Sequence, residues 1–176
     1  IAAGGGITSV EHAEQLFKNG ADKITLNTLL TEDPKMVEKI CSIYGSQSIV
    51  AILDFTIIDK EVIFFVSDGN KKVEMSPKDY LKKIQSHGVG EIVLNSIDKD
   101  GTGFGYDLHT IEKYKEFCDV PLIISGGAGN EKHLHEGISL YGVSAVATAN
   151  LFNFIGNGLP NARKYLINNG IDLAIW

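Results

Sequence analysis

The chain has little of what marks several protein classes. Its 176 residues include two cysteines, four prolines and one tryptophan, and Cys41 and Cys118 lack the spacing of a redox or zinc motif. This pattern favours reduced thiols in a cytoplasmic protein. No apolar run is long enough to cross a bilayer, and a formal net charge of -6 argues against a nucleic-acid surface. We therefore expect neither a membrane nor a nucleic acid as a partner.

Two long segments near the ends of the chain share one layout. Residues 1–34 and 122–154 each contain an apolar run, a Gly-Gly pair, a helical pattern, a glycine turn, a second apolar run and a small polar residue. A repeat of this length predicts a protein built from two equivalent halves of alternating strands and helices.

Short runs rich in Val, Ile and Leu alternate with helical patterns along the chain. The runs predict strands at residues 24–26, 49–53, 92–94, 122–124 and 145–147. With the opening residues they give about six strand–helix units, whereas a closed (β/α)8 TIM barrel has eight. Because the chain opens on Ile1 inside a strand pattern, we expect a single partial TIM-barrel domain over residues 1–176, truncated by two units at its N-terminus. Its exposed strand edges would make it fold poorly alone.

A second kind of α/β fold is the alternative. An open doubly wound sheet would also alternate strands and helices, but it explains neither the duplication nor the repeated glycine pair. Residues 62–66 are aromatic and β-branched and precede an Asp-Gly turn. They predict a small hairpin inserted after a barrel strand.

Glycines follow the first strand of each repeat. Gly4, Gly5 and Gly6 lead into one helix, and Gly126 and Gly127 lead into another. Without a Cβ atom, such a loop can bring its backbone N–H groups close to a phosphate. Two loops at matching places predict one site for each end of a ligand with two phosphates, although simple tight turns would use the same glycines.

Small polar residues end the second strand of each repeat. They are Asn27 and Thr28 in the first copy, and Ala149 and Asn150 stand at the matching place in the second. Amides and hydroxyls at strand ends can complete an anion site begun by a glycine loop. Helix capping is the alternative use of the same side chains.

Two aspartates are candidates for proton transfer. Asp54 ends an apolar run, so its carboxylate should lie at the rim of a low-dielectric core where its pKa can be tuned; a structural cap or salt bridge is the alternative. Asp100 lies in residues 95–103, a glycine-rich loop after a strand. This loop cannot bind calcium, because His109 stands where a bidentate Glu is required, and Tyr106 breaks the dinucleotide fingerprint. We expect an active-face loop with an acidic group, against the alternative of a solvated loop charge.

Four segments together resemble the cyclase subunit of imidazole glycerol phosphate synthase. They read GGGITSVEHAEQLFKNGADKITLNT, GSQSIVAILD, GVGEIVLNSIDKDGTGFGYDL and IISGGAGNEKHL. The resemblance covers almost the whole chain, and SIDKDGTGFGYDL with SGGAG separates this family from the related isomerase of the same pathway. It implies a (β/α)8 barrel that forms a heterodimer with a glutaminase and accepts ammonia from it.

The implied reaction joins ammonia to a ribotide that carries a phosphate at each end. Phosphoribulosyl-formimino carboxamide ribotide would be converted into imidazole glycerol phosphate and an aminoimidazole carboxamide ribotide, a step of histidine biosynthesis. No cofactor is implied. No metal is expected either, because His133 and His135 lie two residues apart on a predicted helix and their side chains diverge.

The resemblance also implies roles for individual residues. Asp54 would be a general acid or base in ring closure, and Asp100 would be an acidic residue near the reacting centre. Lys23 and Glu91 would lie at the ammonia entrance on the opposite face of the barrel. The residues expected to bind the two phosphates are Gly5, Gly6, Asn27 and Thr28 at one end, and Gly101, Thr102, Gly126, Gly127, Ala149 and Asn150 at the other.

Some residues depart from the family pattern. The second catalytic aspartate belongs to the part that we expect to be missing, so the chain alone is predicted to be inactive. Asn95 stands where Thr is usual and Asn150 where Ser is usual. Asn95 and the segment HLHEGISLYGVSAVATANLF are similar to a paralogous branch associated with amidation of cell-surface sugars. Two alternatives follow: an ammonia-conducting barrel subunit for that amidation, and a non-catalytic phosphate-binding scaffold.

Overall fold

The computed structural model describes residues 1–149, 151 and 156–174. The strands are β1 (Ala2–Gly4), β2 (Lys23–Leu26), β3 (Ile49–Ile58), β4 (Glu61–Val66), β5 (Lys71–Lys72), β6 (Glu91–Ser96), β7 (Leu122–Ser125) and β8 (Ala145–Val146). Six of them are parallel and form the main sheet in the order β1-β2-β3-β6-β7-β8, and a hairpin extends from β3.

Helices connect the parallel strands and cover one side of the sheet. They are α1 (Val10–Lys18), α2 (Leu29–Glu32), α3 (Pro34–Tyr44), α4 (Pro77–Ser86), α5 (Leu108–Tyr114), α6 (Glu131–Ile138) and α7 (Gly158–Asn168), with short 3-10 helices at Ser46–Ser48 and Lys115–Phe117. This alternation on a curled parallel sheet is that of a partial (β/α)8 barrel, so the predicted fold class is confirmed. No helix within the described residues is long and apolar enough to cross a membrane.

Side chains of the strands alternate between two environments. Ile24 and Leu26 of β2 and Leu53 of β3 are buried against the helices. The residues between them, such as Thr25 and Ile52, lie on the concave side and are only partly buried. Because successive strand residues point to opposite sides, this alternation decides which polar side chains face the inside of the curl.

The repeat is visible in the helix caps. Ser9 precedes α1 and its side chain accepts a hydrogen bond from the backbone of His12. Asn130 precedes α6 and accepts in the same way from His133. A side-chain acceptor at this position satisfies a free N–H group of the first helical turn, so both copies fold by the same local rule.

The predicted hairpin is present, and it is larger than the sequence indicates. β3 continues past the barrel rim and pairs antiparallel with β4, with Phe55 opposite Phe64. Asp59 and Lys60 form the turn with φ of 51° and 68°. Such turns usually contain glycine, and its absence here concealed the first arm. The Asp-Gly turn that the sequence does reveal joins β4 to the short β5.

Candidate functional site

The carboxyl ends of the parallel strands carry two cavities on the same rim of the sheet. The first, of about 460 Å³, is lined by Gly5, Gly6, Asn27, Thr28, Asp54 and Asp68, among others. The second, of about 180 Å³, is lined by Asp100, Gly101, Gly126, Gly127 and Ala149, among others. Most of the residues predicted to act together therefore do lie together, in two groups. Asn150 lies outside the described residues.

Asp54 is held by two side-chain amides. Asn27 donates from Nδ2 to Asp54 Oδ2 at 3.1 Å, and Asn95 donates from Nδ2 to Asp54 Oδ1 at 2.8 Å. Asn95 reaches the carboxylate because it is the register partner of Asp54 across β3 and β6. One donor on each oxygen fixes the orientation of the carboxylate toward the cavity.

The surroundings of Asp54 raise the pKa of its carboxyl. Burial raises the pKa of the Asp54 carboxyl, the hydrogen bond from Asn95 opposes that rise, and the negative charges of Asp68 and Asp100 add to it. Loss of water around a carboxylate and like charges near it both disfavour ionisation. A carboxyl with a raised pKa exchanges protons closer to neutral pH than an ordinary aspartate, which suits general acid–base work.

The first glycine loop is open. Gly5 and Gly6 are exposed and have φ of 103° and 65°. A Cβ atom built on either residue would meet nothing within 4 Å. Glycine is therefore required here by the left-handed backbone, and the space beside the loop is free for a ligand.

The second glycine loop is packed against the loop that carries Asp100. A Cβ atom on Gly127 would lie 2.2 Å from the carbonyl oxygen of Gly105, and Gly105 N donates to Gly127 O at 2.8 Å. A Cβ atom on Gly129 would lie 2.3 Å from the oxygen of Gly103. Close approach of two backbones is the reason for glycine at these places.

Two predicted phosphate ligands use their hydroxyls within the protein. Thr102 does not line the second cavity; its Oγ1 donates to Lys99 O at 2.6 Å and accepts from Phe104 N at 3.3 Å. Thr28 lines the first cavity, and its Oγ1 accepts from Ser67 N at 3.0 Å. The structure therefore engages both hydroxyls in holding loops.

Lys23 and Glu91 lie at the opposite end of the sheet from the cavities. They begin β2 and β6, and Lys23 Nζ contacts Glu91 Oε1 at 2.5 Å across the intervening β3. Both side chains are about one-third exposed or less. The two residues predicted at the ammonia entrance thus form one ion pair on the far face.

Sequence reasoning missed two residues that act on Asp54 or its cavity. In the sequence Asn95 stands out only as a departure from the family pattern, whereas the register of β3 and β6 places it beside Asp54. Asp68 lies in the turn between β4 and β5 and lines the same cavity. No signal in the sequence could have found Asp68, because its position depends on how the hairpin folds back.

A family model described as histidine biosynthesis protein matches residues 1–156. The chain belongs to this family. It is 42% identical over 177 residues to a protein of Parasynechococcus marenigrum (strain WH8102) that is provisionally named imidazole glycerol phosphate synthase subunit hisF2, covering 100% of this chain and 66% of the relative.

Other relatives within the histidine biosynthesis family carry the same enzyme name. Imidazole glycerol phosphate synthase subunit HisF of Pelodictyon phaeoclathratiforme is 37% identical over 175 residues, and that of Chlorobaculum tepidum is 35% identical over 175 residues; each match covers 99% of this chain and 70% of the relative. The chain spans about two thirds of the length of these relatives. The resemblance is confirmed at the level of the family, and the sugar-amidation and scaffold alternatives are not favoured. The expectation that the chain alone is inactive is not borne out.

Proposed function

We propose that the complete protein is the cyclase subunit of imidazole glycerol phosphate synthase. It uses ammonia to convert phosphoribulosyl-formimino carboxamide ribotide into imidazole glycerol phosphate and aminoimidazole carboxamide ribotide. One observation carries the proposal: Asp54, held by two amides, lies on a strand between the strands that lead to the two glycine loops. A molecule with a phosphate at each end would place its reacting middle near this carboxylate.

Each of the two cavities binds one phosphate of the substrate. Gly5 and Gly6 present free backbone to one phosphate, with the amide of Asn27 beside them, and Gly126, Gly127 and Gly101 line the pocket for the other. Backbone N–H groups suit this task, because they bind an anion without needing a net positive charge. This explains how a chain of net charge -6 can take an anionic substrate.

The acid–base chemistry falls to Asp54, with Asp100 near the reacting centre. Asp54 gives or takes a proton during ring closure, and its raised pKa brings it closer to the working pH. Asp100 is exposed on its loop and lines the second cavity. It can therefore reach a substrate that extends from one cavity to the other.

The partner is a glutaminase subunit that supplies ammonia. The relatives are named as subunits of the synthase, which supports a partner. The Lys23–Glu91 pair lies at the amino ends of the strands, so ammonia that enters there would travel toward Asp54 along the concave side. In this proposal residues 1–176 act as one partial barrel domain, supported by a single hydrophobic core from α1 to α7.

The test measures conversion of the ribotide by the complete gene product supplied with ammonium, and with glutamine plus the glutaminase. Asp54→Asn should lower the ammonium-driven rate by about 100-fold or more, the usual effect of losing a general acid or base. Asp59→Asn is the matched control, because it makes the same change at an exposed turn of the same hairpin. Full activity in Asp54→Asn, or no product from folded wild-type protein, would reject the proposal.

A further inference from the structure

The β4–β5 turn brings a second carboxylate to the cavity that contains Asp54. Asp68 lines this cavity together with Asp54 and the open glycine loop. Its side chain is exposed, and none of the ion pairs among the described residues includes it. The charge of Asp68 is therefore left uncompensated at the cavity rim.

The turn is fixed in place. Ser67 N donates to Thr28 Oγ1 at 3.0 Å, which ties the turn to the start of α2. Asn70 Nδ2 donates to Ser67 O at 2.9 Å and to Asp68 O at 3.4 Å. Ser67 and Asp68 both have left-handed backbone, with φ of 56° and 55°, a conformation that aspartate and asparagine tolerate better than most residues. The hairpin thus holds Asp68 at a defined place.

Several other groups face Asp54 from the elements around it. Asn27 and Asn95 are neutral donors on β2 and β6. Glu32 on α2 lines the cavity but is paired with Lys71 at 3.3 Å. Asp100 acts from the loop after β6, and Tyr80 on α4 is close enough for the Asp54 charge to raise its pKa, after the larger effect of burial.

We propose that Asp68 is a positioning residue of this site, which acts through its negative charge on the carboxylate of Asp54. The inference rests on the proposed role of Asp54 as the general acid or base. Asp68 makes no hydrogen bond to Asp54, so the effect is exerted across the cavity. Like charges that share a site hold a proton more readily, and Asp68 acts in that direction on the pKa of Asp54.

The hairpin provides its own control. Asp59 and Asp68 occupy the two turns of the same hairpin, both with left-handed φ, of 51° and 55°. Both are exposed, but only Asp68 lines the cavity. Asp68→Asn and Asp59→Asn therefore remove one charge each from similar backbone, and asparagine keeps both turns intact.

The experiment measures the titration of the Asp54 carboxyl and the pH dependence of the reaction rate. In the complete gene product labelled with ¹³C-aspartate, the Asp54 carboxyl resonance is assigned by its loss in Asp54→Asn and is titrated in each variant. Asp68→Asn should move the Asp54 titration to lower pH, and Asp59→Asn should leave it in place. The limb of the pH–rate profile set by Asp54 should move in the same direction. The rate at the wild-type half-maximal pH should then rise by up to about twofold where the ionised carboxylate is the active form, and fall where the protonated form is.

The outcomes separate this inference from the proposed function. An Asp54 titration that is unchanged in Asp68→Asn, or that moves equally in Asp59→Asn, would overturn the role of Asp68 whatever the activity. A shifted titration with full activity in Asp54→Asn would support the charge coupling and reject the reaction role of Asp54. Asp68→Glu, which restores the charge, should return the titration toward that of the wild type.

Discussion

The two glycine loops share a sequence pattern but differ in their surroundings. Gly5 and Gly6 are exposed, and added Cβ atoms would meet nothing within 4 Å. Gly126 and Gly127 are buried, and Cβ atoms on them would lie 2.5 Å and 2.2 Å from backbone oxygens. All four residues have positive φ, so the duplication preserves backbone shape while the neighbours differ.

This difference separates two reasons for glycine. In the first loop glycine permits a left-handed turn and leaves space for a ligand. In the second loop it permits the same turn and also lets two loops touch, with Gly105 N donating to Gly127 O at 2.8 Å. A glycine motif alone therefore predicts the turn and does not tell a binding loop from a packed one. Substitutions can make that distinction.

The largest effect is expected from Gly127→Ala. The new Cβ atom combines an unfavourable left-handed backbone with a clash against the Gly105 carbonyl, at a combined cost of about 2–4 kcal/mol in the free energy of unfolding. Urea denaturation of wild type and variant measures this cost. Gly129→Ala is the control that separates the causes, because Gly129 has the close oxygen, at 2.3 Å, without a positive φ. Wild-type stability in both variants would mean that the loops are not packed.

A smaller loss of stability, with a loss of binding, is expected from Gly6→Ala. Only the left-handed backbone penalty applies, about 1–2 kcal/mol, because no atom lies near the new Cβ. The methyl group would occupy the open side of the loop, so KM for the ribotide should rise several-fold. Steady-state kinetics and urea denaturation on the same sample check both parts. An unchanged KM with the expected stability loss would remove this loop from the binding site.

The smallest effect is a pH dependence of stability that comes from Asp54 beside the open loop. Burial raises the folded-state pKa of Asp54 above the ordinary value of 3.8, so the folded state binds this proton more readily than the unfolded state. Stability from this group is therefore present at low pH and declines as pH rises from that value through the folded pKa. Relative to Asp54→Asn, the wild type should lose stability over that window in denaturation curves. A gain instead would contradict the burial argument.

The strands of the sheet could be predicted from the short apolar runs and from the turn residues that separate them. The five predicted strands all exist, and their starts agree with the structure to within one residue. The turn at Asp59 and Lys60 could not be predicted, since neither residue is glycine and the favourable pairing with β4 is a tertiary effect. The first arm of the hairpin was hidden for the same reason.

The candidate site was predictable where it depends on strand ends. Carboxyl ends of parallel strands meet at one rim, so Asp54 and the first glycine loop could be placed together without coordinates. Asn95 depends on register, and Asp68 depends on docking of a turn onto Thr28, neither of which composition or spacing reveals. The sequence predicts Thr102 as a phosphate ligand. Its hydroxyl instead donates to Lys99 O within the loop turn, a contact that cannot be read from the sequence. The roles of all these residues stay predictions.

The ten-residue strand β3 has a consequence for how this protein can change in evolution. Its distal half pairs with β4 in a ribbon outside the parallel sheet, and β4 runs back to the turn that places Asp68 at the cavity. We therefore expect that substitutions in this turn change the charge at the cavity without altering the pairing of the parallel strands. Natural selection or protein engineering could thus vary the residues beside the cavity while the parallel sheet stays the same.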